Sequence, residues 1–491
     1  MSLIKKLAGQ TIIYGIGSIL PRVLNLIVLL PYLTHKFNDD IGKYGIHSIM
    51  YAFAGFVIMM ITFRMETALF RFGSKAEDLE KTFSTAFTSI FLISVLSIAA
   101  IFWQSESIAN ILTKTEDQPY VIYIAIICFF DILSAIPFAR LRLENKAVKF
   151  SAIKVVSILI NIAAMLFLIE ILPNLDLSWI SYQPGQILTY VFIANVIGSA
   201  VTFFMLGGEI IKNRWSIDKA LFGKMFQYAW PLVIVGIAGL ISINLDRWLI
   251  NTYAPGTEEE NEIATALFAT AAKFAVIMQL FTQAFNYASE PFFFKQADSK
   301  DAPQTYADVA RAFTLIGCFA FLFILFYLDV FQLILGENSR GGLEVIPVLL
   351  LAYLCLGLYY NFSVWYKIMD KTKVGAIIAV IGALISLTFN IFLIPKMGIF
   401  AAAWAALATF ASYAMMGYFI GKRYYPIPYR MDKILGMIGL AICFYLLSNW
   451  LDTNLTLSLN NRLGLNTFLL LIYCGIIGMW EISFYKRILK A

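Results

Sequence analysis

The chain has 491 residues, of which 60% are hydrophobic and 14% are charged, and its formal net charge is +6. Its mean hydropathy is +0.77. Soluble proteins carry roughly 25% charged residues, so this composition excludes an ordinary soluble globular protein.

Apolar runs long enough to cross a hydrocarbon core of about 30 Å recur along the whole chain. A bilayer offers no water to backbone groups, and the runs lack the alternation of barrel strands, so each run is predicted to be a helix. We therefore predict an all-α polytopic membrane protein with fourteen transmembrane helices. In chain order these spans cover residues 11–33, 45–70, 84–104, 120–138, 151–172, 187–207, 228–252, 263–287, 312–333, 345–366, 374–394, 400–420, 434–450 and 466–485.

Lysine and arginine residues in the connecting segments predict the orientation of the chain. If the N-terminus is cytoplasmic, the cytoplasmic segments hold 25 basic residues and the outer loops hold 6. We therefore expect both termini in the cytoplasm, and we attribute the positive net charge to topology and not to nucleic-acid binding. MSLIKKLAGQ leads into span 1 without a small-residue cleavage site, so we expect no cleavable signal peptide.

The first two spans contain ionisable groups, which cost roughly 2.5–3.5 kcal/mol each inside a bilayer and therefore mark a cavity or a partner. Arg22 lies near the middle of span 1, and span 2 ends in FRMETALFRF, residues Phe63–Phe72. In an uninterrupted helix, Arg64 and Arg71 share one face, and Glu66 points about 200° away from Arg64. We therefore predict that Arg64 and Glu66 do not pair. Arg71 is expected to reach the interface, whereas Arg64 is predicted to face an anion in a water-filled cavity.

Later spans add more deep ionisable groups. Asp131 in span 4 and Lys273 in span 8 lie near the bilayer midplane, and Asp246 and Arg247 are adjacent in span 7. The last two residues either form ion pairs with neighbouring helices or face a cavity.

Two other cations, Lys154 and Arg311, lie close to the predicted cytoplasmic ends of spans 5 and 9. We expect both side chains to extend to the membrane interface.

An internal repeat predicts two lobes. FVIMM at Phe56–Met60 recurs as AVIMQ at Ala275–Gln279, in the second helix of each six-helix set. Copies with an even number of spans enter the membrane from the same side, which gives parallel, pseudo-symmetric lobes around a central cavity. We predict an N-terminal lobe at 1–210, a C-terminal lobe at 211–425 and a two-helix appendage at 426–491.

Signals of catalysis are weak. The two histidines have no acidic or cysteine cluster at ligand spacing, the five cysteines fall within predicted spans, and there is no P-loop. We expect no enzymatic activity, no metal site and no cofactor.

Four stretches carry a family resemblance in their order and spacing. They are FRMETALFRF, TQAFNYASEPFFFK from Thr282, LGLYYNFSVWYKIMDKTK from Leu356 and FNIFLIPKMGIFAAAWAALAT from Phe389. The chain resembles, over essentially its whole length, the Wzx-like oligosaccharide/polysaccharide flippases of the multidrug/oligosaccharidyl-lipid/polysaccharide exporter superfamily.

The resemblance implies that undecaprenyl-pyrophosphate-linked sugar units are flipped across the bacterial cytoplasmic (inner) membrane for surface polysaccharide or O-antigen biosynthesis. It implies a lipid-linked oligosaccharide, membrane lipids and polysaccharide assembly proteins as partners. Contacts with the pyrophosphate are expected from Arg22, Arg64, Lys273 and Arg247. Contacts with the sugar are expected from Gln279, Gln283, Tyr360 and Asn361.

Two alternatives remain open. A cation-coupled multidrug or metabolite antiporter of the same superfamily would use a buried carboxylate, which Asp131 could supply, although span 1 contains Arg22 and no acid. A membrane glycosyl polymerase would need a sizeable external loop, which the chain lacks. If Na⁺ or H⁺ drives transport, we expect it to bind at Asp131, Asp246 or Glu66.

Overall fold

The computed structural model describes residues 17, 19–73, 76–175, 183–211, 215–296, 299, 301–369 and 371–481. These residues are almost entirely helical, and no strand occurs among them. The predicted all-α fold is therefore confirmed. Its cause is the one used in the prediction, since a backbone inside a bilayer must form its hydrogen bonds within its own helix.

Thirteen helices in the described part of the chain are long and apolar enough to cross a membrane. They overlap predicted spans 2 to 14, so the prediction of a multi-pass membrane protein is confirmed. Span 1 begins outside the described residues, and its described part includes a π-helix at Asn25–Leu29. The total of fourteen spans and the cytoplasmic position of both termini stay predictions.

The chain divides into two compact units, Met1–Ala269 and Thr270–Ala491. The α-helices described in the first unit are α1 (Leu30–Lys36), α2 (Gly42–Thr62), α3 (Met65–Phe72), α4 (Ala76–Trp103), α5 (Ser105–Leu112), α6 (Gln118–Leu143), α7 (Ala147–Leu166), α8 (Ile187–Met205), α9 (Gly207–Ile210) and α10 (Lys219–Tyr253). The division falls inside α11 (Glu258–Gln296).

The helix α6 is the centre of the first unit, because it packs against α2, α3, α4, α7 and α8. Ile124, Cys128, Ile132 and Ile136 recur at every fourth position of α6 and have no exposed surface. This spacing places them on one face of the helix, which forms the core of the unit.

The second unit continues from α11. Its further helices are α12 (Ala302–Phe326), α13 (Leu328–Phe331), α14 (Ile346–Phe362), α15 (Val364–Ile368), α16 (Thr372–Met397), α17 (Ile399–Tyr424), α18 (Met431–Leu455) and α19 (Leu459–Trp480). The helix α14 packs against α12 and α17, and α18 and α19 pack against each other and against α12.

Arg311 does not extend to the interface as expected. The helix α12 begins well before the predicted span, so Arg311 lies within it, where it is 5% exposed and paired with the fully buried Glu481. The expectation was wrong because the start of the helix was placed too late. The predicted lobe boundaries at 210 and 425 and the parallel arrangement of the lobes stay predictions.

Candidate functional site

The site begins at a break in predicted span 2. The helix α2 ends at Thr62, and Phe63 and Arg64 both have left-handed backbone angles, with φ of 47° and 55°. The helix α3 starts at Met65. Left-handed backbone costs roughly 1–2 kcal/mol at each residue with a side chain, so surrounding contacts must hold this break in place.

The break changes which side chains meet. The distance from Arg64 Nη1 to Glu66 Oε1 is 3.7 Å. The prediction that these two residues do not pair was therefore wrong. The prediction assumed an uninterrupted helix. The two left-handed residues instead change the direction of the chain before α3, which brings the Glu66 carboxylate near the Arg64 guanidinium.

Gly236 of α10 lies directly against the break. A Cβ atom at this position would lie 2.6 Å from Met59 Sδ and 3.1 Å from Arg64 Nη2. A side chain here would displace the end of Met59 or of Arg64, so the glycine leaves room for the Arg64 guanidinium beside α10.

A cavity of about 660 Å³ lies within the first unit, between the start of the described chain and helices α2, α3, α6, α7 and α8. Five charged residues are part of its wall. They are the cations Arg64, Arg142 and Lys154 and the acids Glu66 and Asp131. This volume falls in the range of small-molecule sites, about 300–1,000 Å³.

Aromatic rings stabilise two of these cations. The Arg142 guanidinium lies 4.9 Å from the ring centroid of Phe70, and Lys154 Nζ lies 4.2 Å from that of Phe138. Such cation–π contacts are worth about 0.5–2 kcal/mol, and they help to stabilise the two charged side chains in the cavity wall. Sequence reasoning missed both residues as site residues, because it counted Arg142 as part of a loop and attributed Lys154 to the interface.

Asp131 contacts groups from two neighbouring helices. Ser199 of α8 and Lys154 of α7 both interact with its carboxylate. The predicted coupling candidates Asp131 and Glu66 therefore both lie in the cavity wall.

Neutral polar groups complete the wall. They are Asn25, Thr62, Ser134, Ser157, Asn161, Asn195, Ser199 and Thr202. Sequence reasoning missed them because it searched the apolar runs for charge only. Two amides in facing helices, flanked by hydroxyl residues at helical spacing, are the signal that could have revealed them.

The other predicted residues of the first unit lie apart from this wall. Arg22 follows the wall residue Pro21, but its own side chain is exposed and outside the wall. Arg247 Nη1 donates to Asp246 Oδ1 at 3.2 Å and to two acceptors of its own helix, Ile243 O and Asn244 Oδ1, both at 3.0 Å. The structure brings Asp246 and Arg247 together with each other and not with Arg64.

The remaining predicted contacts belong to the second unit. Lys273, Gln279 and Gln283 lie on α11, and Tyr360 and Asn361 lie on α14. Asn361 is 3% exposed, and its Nδ2 atom donates to Gly357 O at 2.9 Å. Their role at the site stays a prediction. Among the residues the structure describes, no group of three or more His, Cys, Asp or Glu side chains could hold a metal ion.

Comparison with known proteins identifies relatives. The family model described as polysaccharide biosynthesis protein matches residues 7–296. A protein of the Lsg locus of Haemophilus influenzae is 22% identical over 410 residues, which cover 80% of this chain and 94% of that protein.

Two solved structures share the fold. The lipid II flippase MurJ in an inward closed conformation matches with a TM-score of 0.72 and 15% identity, covering 96% of this chain and 100% of MurJ. An inward-facing multidrug resistance MATE family transporter of the MOP superfamily matches with a TM-score of 0.62 and 12% identity, covering 87% of this chain and 99% of the transporter.

Proposed function

The chain belongs to the polysaccharide biosynthesis protein family, and from this premise we propose that it is a flippase for lipid-linked oligosaccharides. The proposed lipid carrier is undecaprenyl pyrophosphate. Transfer runs from the cytoplasmic to the periplasmic leaflet of the bacterial inner membrane by alternating access, and the sugar units enter surface polysaccharide or O-antigen. No covalent bond changes in this process, so no catalytic residue is required.

The observation that carries the proposal is the cavity in the first unit. Its wall contains three cations and two acids among membrane-spanning helices. A pyrophosphate leaving water needs compensating charge, and guanidinium groups bind phosphate oxygens through two parallel hydrogen bonds. Arg64 is the strongest candidate for this contact, because it lies in the wall and its position depends on the break in span 2.

Arg22, Lys273 and Arg247 remain proposed contacts along the path of the head group. Of these, Arg247 is the weakest, because acceptors of its own helix already occupy its guanidinium. Sugar contacts in the second unit remain proposed at Gln279, Gln283, Tyr360 and Asn361.

The two acids in the wall favour a second candidate function, a cation-coupled antiporter for drugs or metabolites. Glu66 lies beside Arg64, which leaves Asp131 as the better site for a driving cation. The substrate distinguishes the two candidates, because an antiporter for cationic drugs would lose little when Arg64 is removed.

Substitution of arginines tests the proposed function. Arg64→Ala and Arg22→Ala should each abolish surface polysaccharide in a host lacking its own copy, because the pyrophosphate loses charge compensation. The matched control is Arg71→Ala, which removes an exposed arginine of the same segment that lies 4.8 Å from the Tyr228 ring. The measurements are surface glycan, accumulated lipid-linked intermediate and membrane level of each variant. Normal glycan in Arg64→Ala cells would contradict the proposal.

A further inference from the structure

The cavity of the first unit has two chemically different parts. Arg142 lies in the last turn of α6, near the α6–α7 connection. Asn161 lies about 14 residues along α7 from Ala147, which is about 21 Å of helix. The cations Arg142 and Lys154 therefore lie nearer the α6–α7 connection than the amide pair does, whereas Asp131 lies about 12 residues, or about 18 Å, before the end of α6.

The two amides contact each other across α7 and α8. Asn161 Nδ2 donates to Asn195 Oδ1 at 3.0 Å, and Asn195 Nδ2 donates to Val191 O at 2.7 Å. Asn161 is 6% exposed, yet its Oδ1 atom accepts no hydrogen bond from the described residues. A buried acceptor in a cavity wall is satisfied when an occupant supplies a donor.

Two hydroxyl residues lie next to the amide pair: Ser157 is one helical turn from Asn161, and Thr202 is two turns from Asn195. Ser157 Oγ and Thr202 Oγ1 are 2.5 Å apart, and Thr202 donates to Gly198 O at 2.8 Å. A Cβ atom at Gly198 would lie 3.1 Å from Asn161 Cβ, so glycine lets α8 approach α7 at the amide pair. The close approach brings these four polar side chains into one cluster.

The chemistry of the cluster favours a neutral ligand that is rich in hydroxyl groups. Asn161 Oδ1 needs a donor, which a phosphate oxygen cannot supply and a sugar hydroxyl or acetamido N–H can. A sugar hydroxyl also accepts hydrogen bonds, which suits the neighbouring amide N–H and hydroxyl donors. The cluster itself contains no carboxylate for a metal cation.

We propose that Asn161, Asn195, Ser157 and Thr202 form a subsite for the sugar next to the pyrophosphate, with Arg64, Arg142 and Lys154 holding the pyrophosphate itself. This inference rests on the proposed function and adds to it, because it assigns sugar recognition to the first unit. The predicted sugar contacts lie instead in the second unit.

Binding of two lipids to the purified full-length protein tests the subsite. The probes are bare undecaprenyl pyrophosphate and undecaprenyl pyrophosphate carrying one N-acetylhexosamine. Asn161→Ala should weaken binding of the sugar-bearing probe about tenfold and leave the bare probe unchanged. Arg64→Ala should weaken both. The control is Asn390→Ala, which removes another buried amide whose Oδ1 has no partner in the described part of the chain and which lies outside this cavity. It should change neither affinity.

The outcomes separate the two proposals. If Asn161→Ala binds both probes like the wild type while Arg64→Ala weakens both, the sugar subsite is overturned and the flippase proposal stands. If the wild type binds neither probe, the flippase proposal falls and the subsite falls with it. If Asn161→Ala proves unstable, Ser157→Ala gives the same test with a smaller change. If Ser157→Ala binds each probe with the same affinity as the wild type, the subsite is overturned.

Discussion

Arg64 owes its position to residues that carry no charge. Phe63 shares the left-handed break with it, and the Phe63 ring packs against Phe226 of α10 at 5.5 Å between centroids. On the same helix, Gly236 lies against both Met59 and the Arg64 guanidinium. Because α10 contacts the break at both points, we infer that this helix keeps Arg64 in the cavity wall.

Gly236→Ala should therefore disturb Arg64 without altering any charge. The new Cβ atom would lie 2.6 Å from Met59 Sδ and 3.1 Å from Arg64 Nη2, so one of these groups must move. We expect transport of the lipid-linked oligosaccharide to fall about 10- to 100-fold, since small displacements of binding groups have effects of this size. The measurement is transport into proteoliposomes.

The control for Gly236→Ala is Gly239→Ala on the same helix, where a Cβ atom would meet nothing within 4 Å. It should leave transport unchanged and stabilise the helix by up to about 1 kcal/mol. Equal transport by the two variants would show that the close approach at Gly236 does not position Arg64.

At the scale of elements, the end of α10 and the start of α11 are fastened to the segment around α5. Trp248 Nε1 donates to Ile111 O at 2.9 Å, and Asn251 Nδ2 donates to Leu112 O at 3.4 Å. Lys114 Nζ lies 2.6 Å from Glu262 Oε1. The hydrogen bond to Glu262 raises the pKa of Lys114. A raised pKa means that the stabilisation is complete at neutral pH and is lost only as pH rises through the folded value.

Breaking the ion pair between Lys114 and Glu262 should lower the stability of the folded protein. In Glu262→Gln the charge of Lys114 loses its partner, and we expect a loss of about 1 kcal/mol, since the lysine is 37% exposed and partly screened. Thermal unfolding in detergent at low and high salt measures it. Asp432→Asn, which breaks the exposed Arg430–Asp432 pair, is the control and should leave the unfolding temperature unchanged, because water and salt screen an exposed pair. Equal losses of stability in Glu262→Gln and Asp432→Asn would contradict a stabilising role for the Lys114–Glu262 pair.

The extent of these helices could be predicted from the sequence, but the break and the cavity could not. Uniform apolar runs determine where a chain crosses a membrane, and spans 2 to 14 followed from them. The resemblance carried by stretches such as FRMETALFRF led to the correct family. The left-handed pair at Phe63 and Arg64 depends on contacts with α10, which residue spacing along span 2 does not contain. The amides Asn161 and Asn195 become a site only when α7 and α8 meet at Gly198.

At the scale of the whole molecule, flipping an anionic head group in one direction requires a source of free energy, and the chain has no P-loop for ATP. An ion gradient can drive transport only if the ion and the substrate bind with a coupling free energy between them. Asp131 is placed for this role, because Lys154 interacts with it and both lie in the wall that we propose binds the pyrophosphate. A pyrophosphate that attracts Lys154 would weaken the contact of Lys154 with Asp131, and the carboxylate could then exchange a cation.

Asp131→Asn should separate transport from the gradient. In proteoliposomes, we expect an imposed Na⁺ or proton gradient to accelerate transport by the wild type several-fold. The Asp131→Asn variant should transport at the wild-type rate without a gradient but should not be accelerated by one, because an amide cannot bind and release the driving cation. Asp246→Asn is the matched control, since Asp246 is a buried carboxylate that pairs with Arg247 outside the cavity wall. Loss of acceleration in Asp246→Asn alone would move the coupling site to α10. If neither gradient accelerates transport by the wild type, the proposal of ion coupling is wrong. The proposed anion contact at Arg64 would still stand, because substrate binding measured without a gradient tests that contact separately.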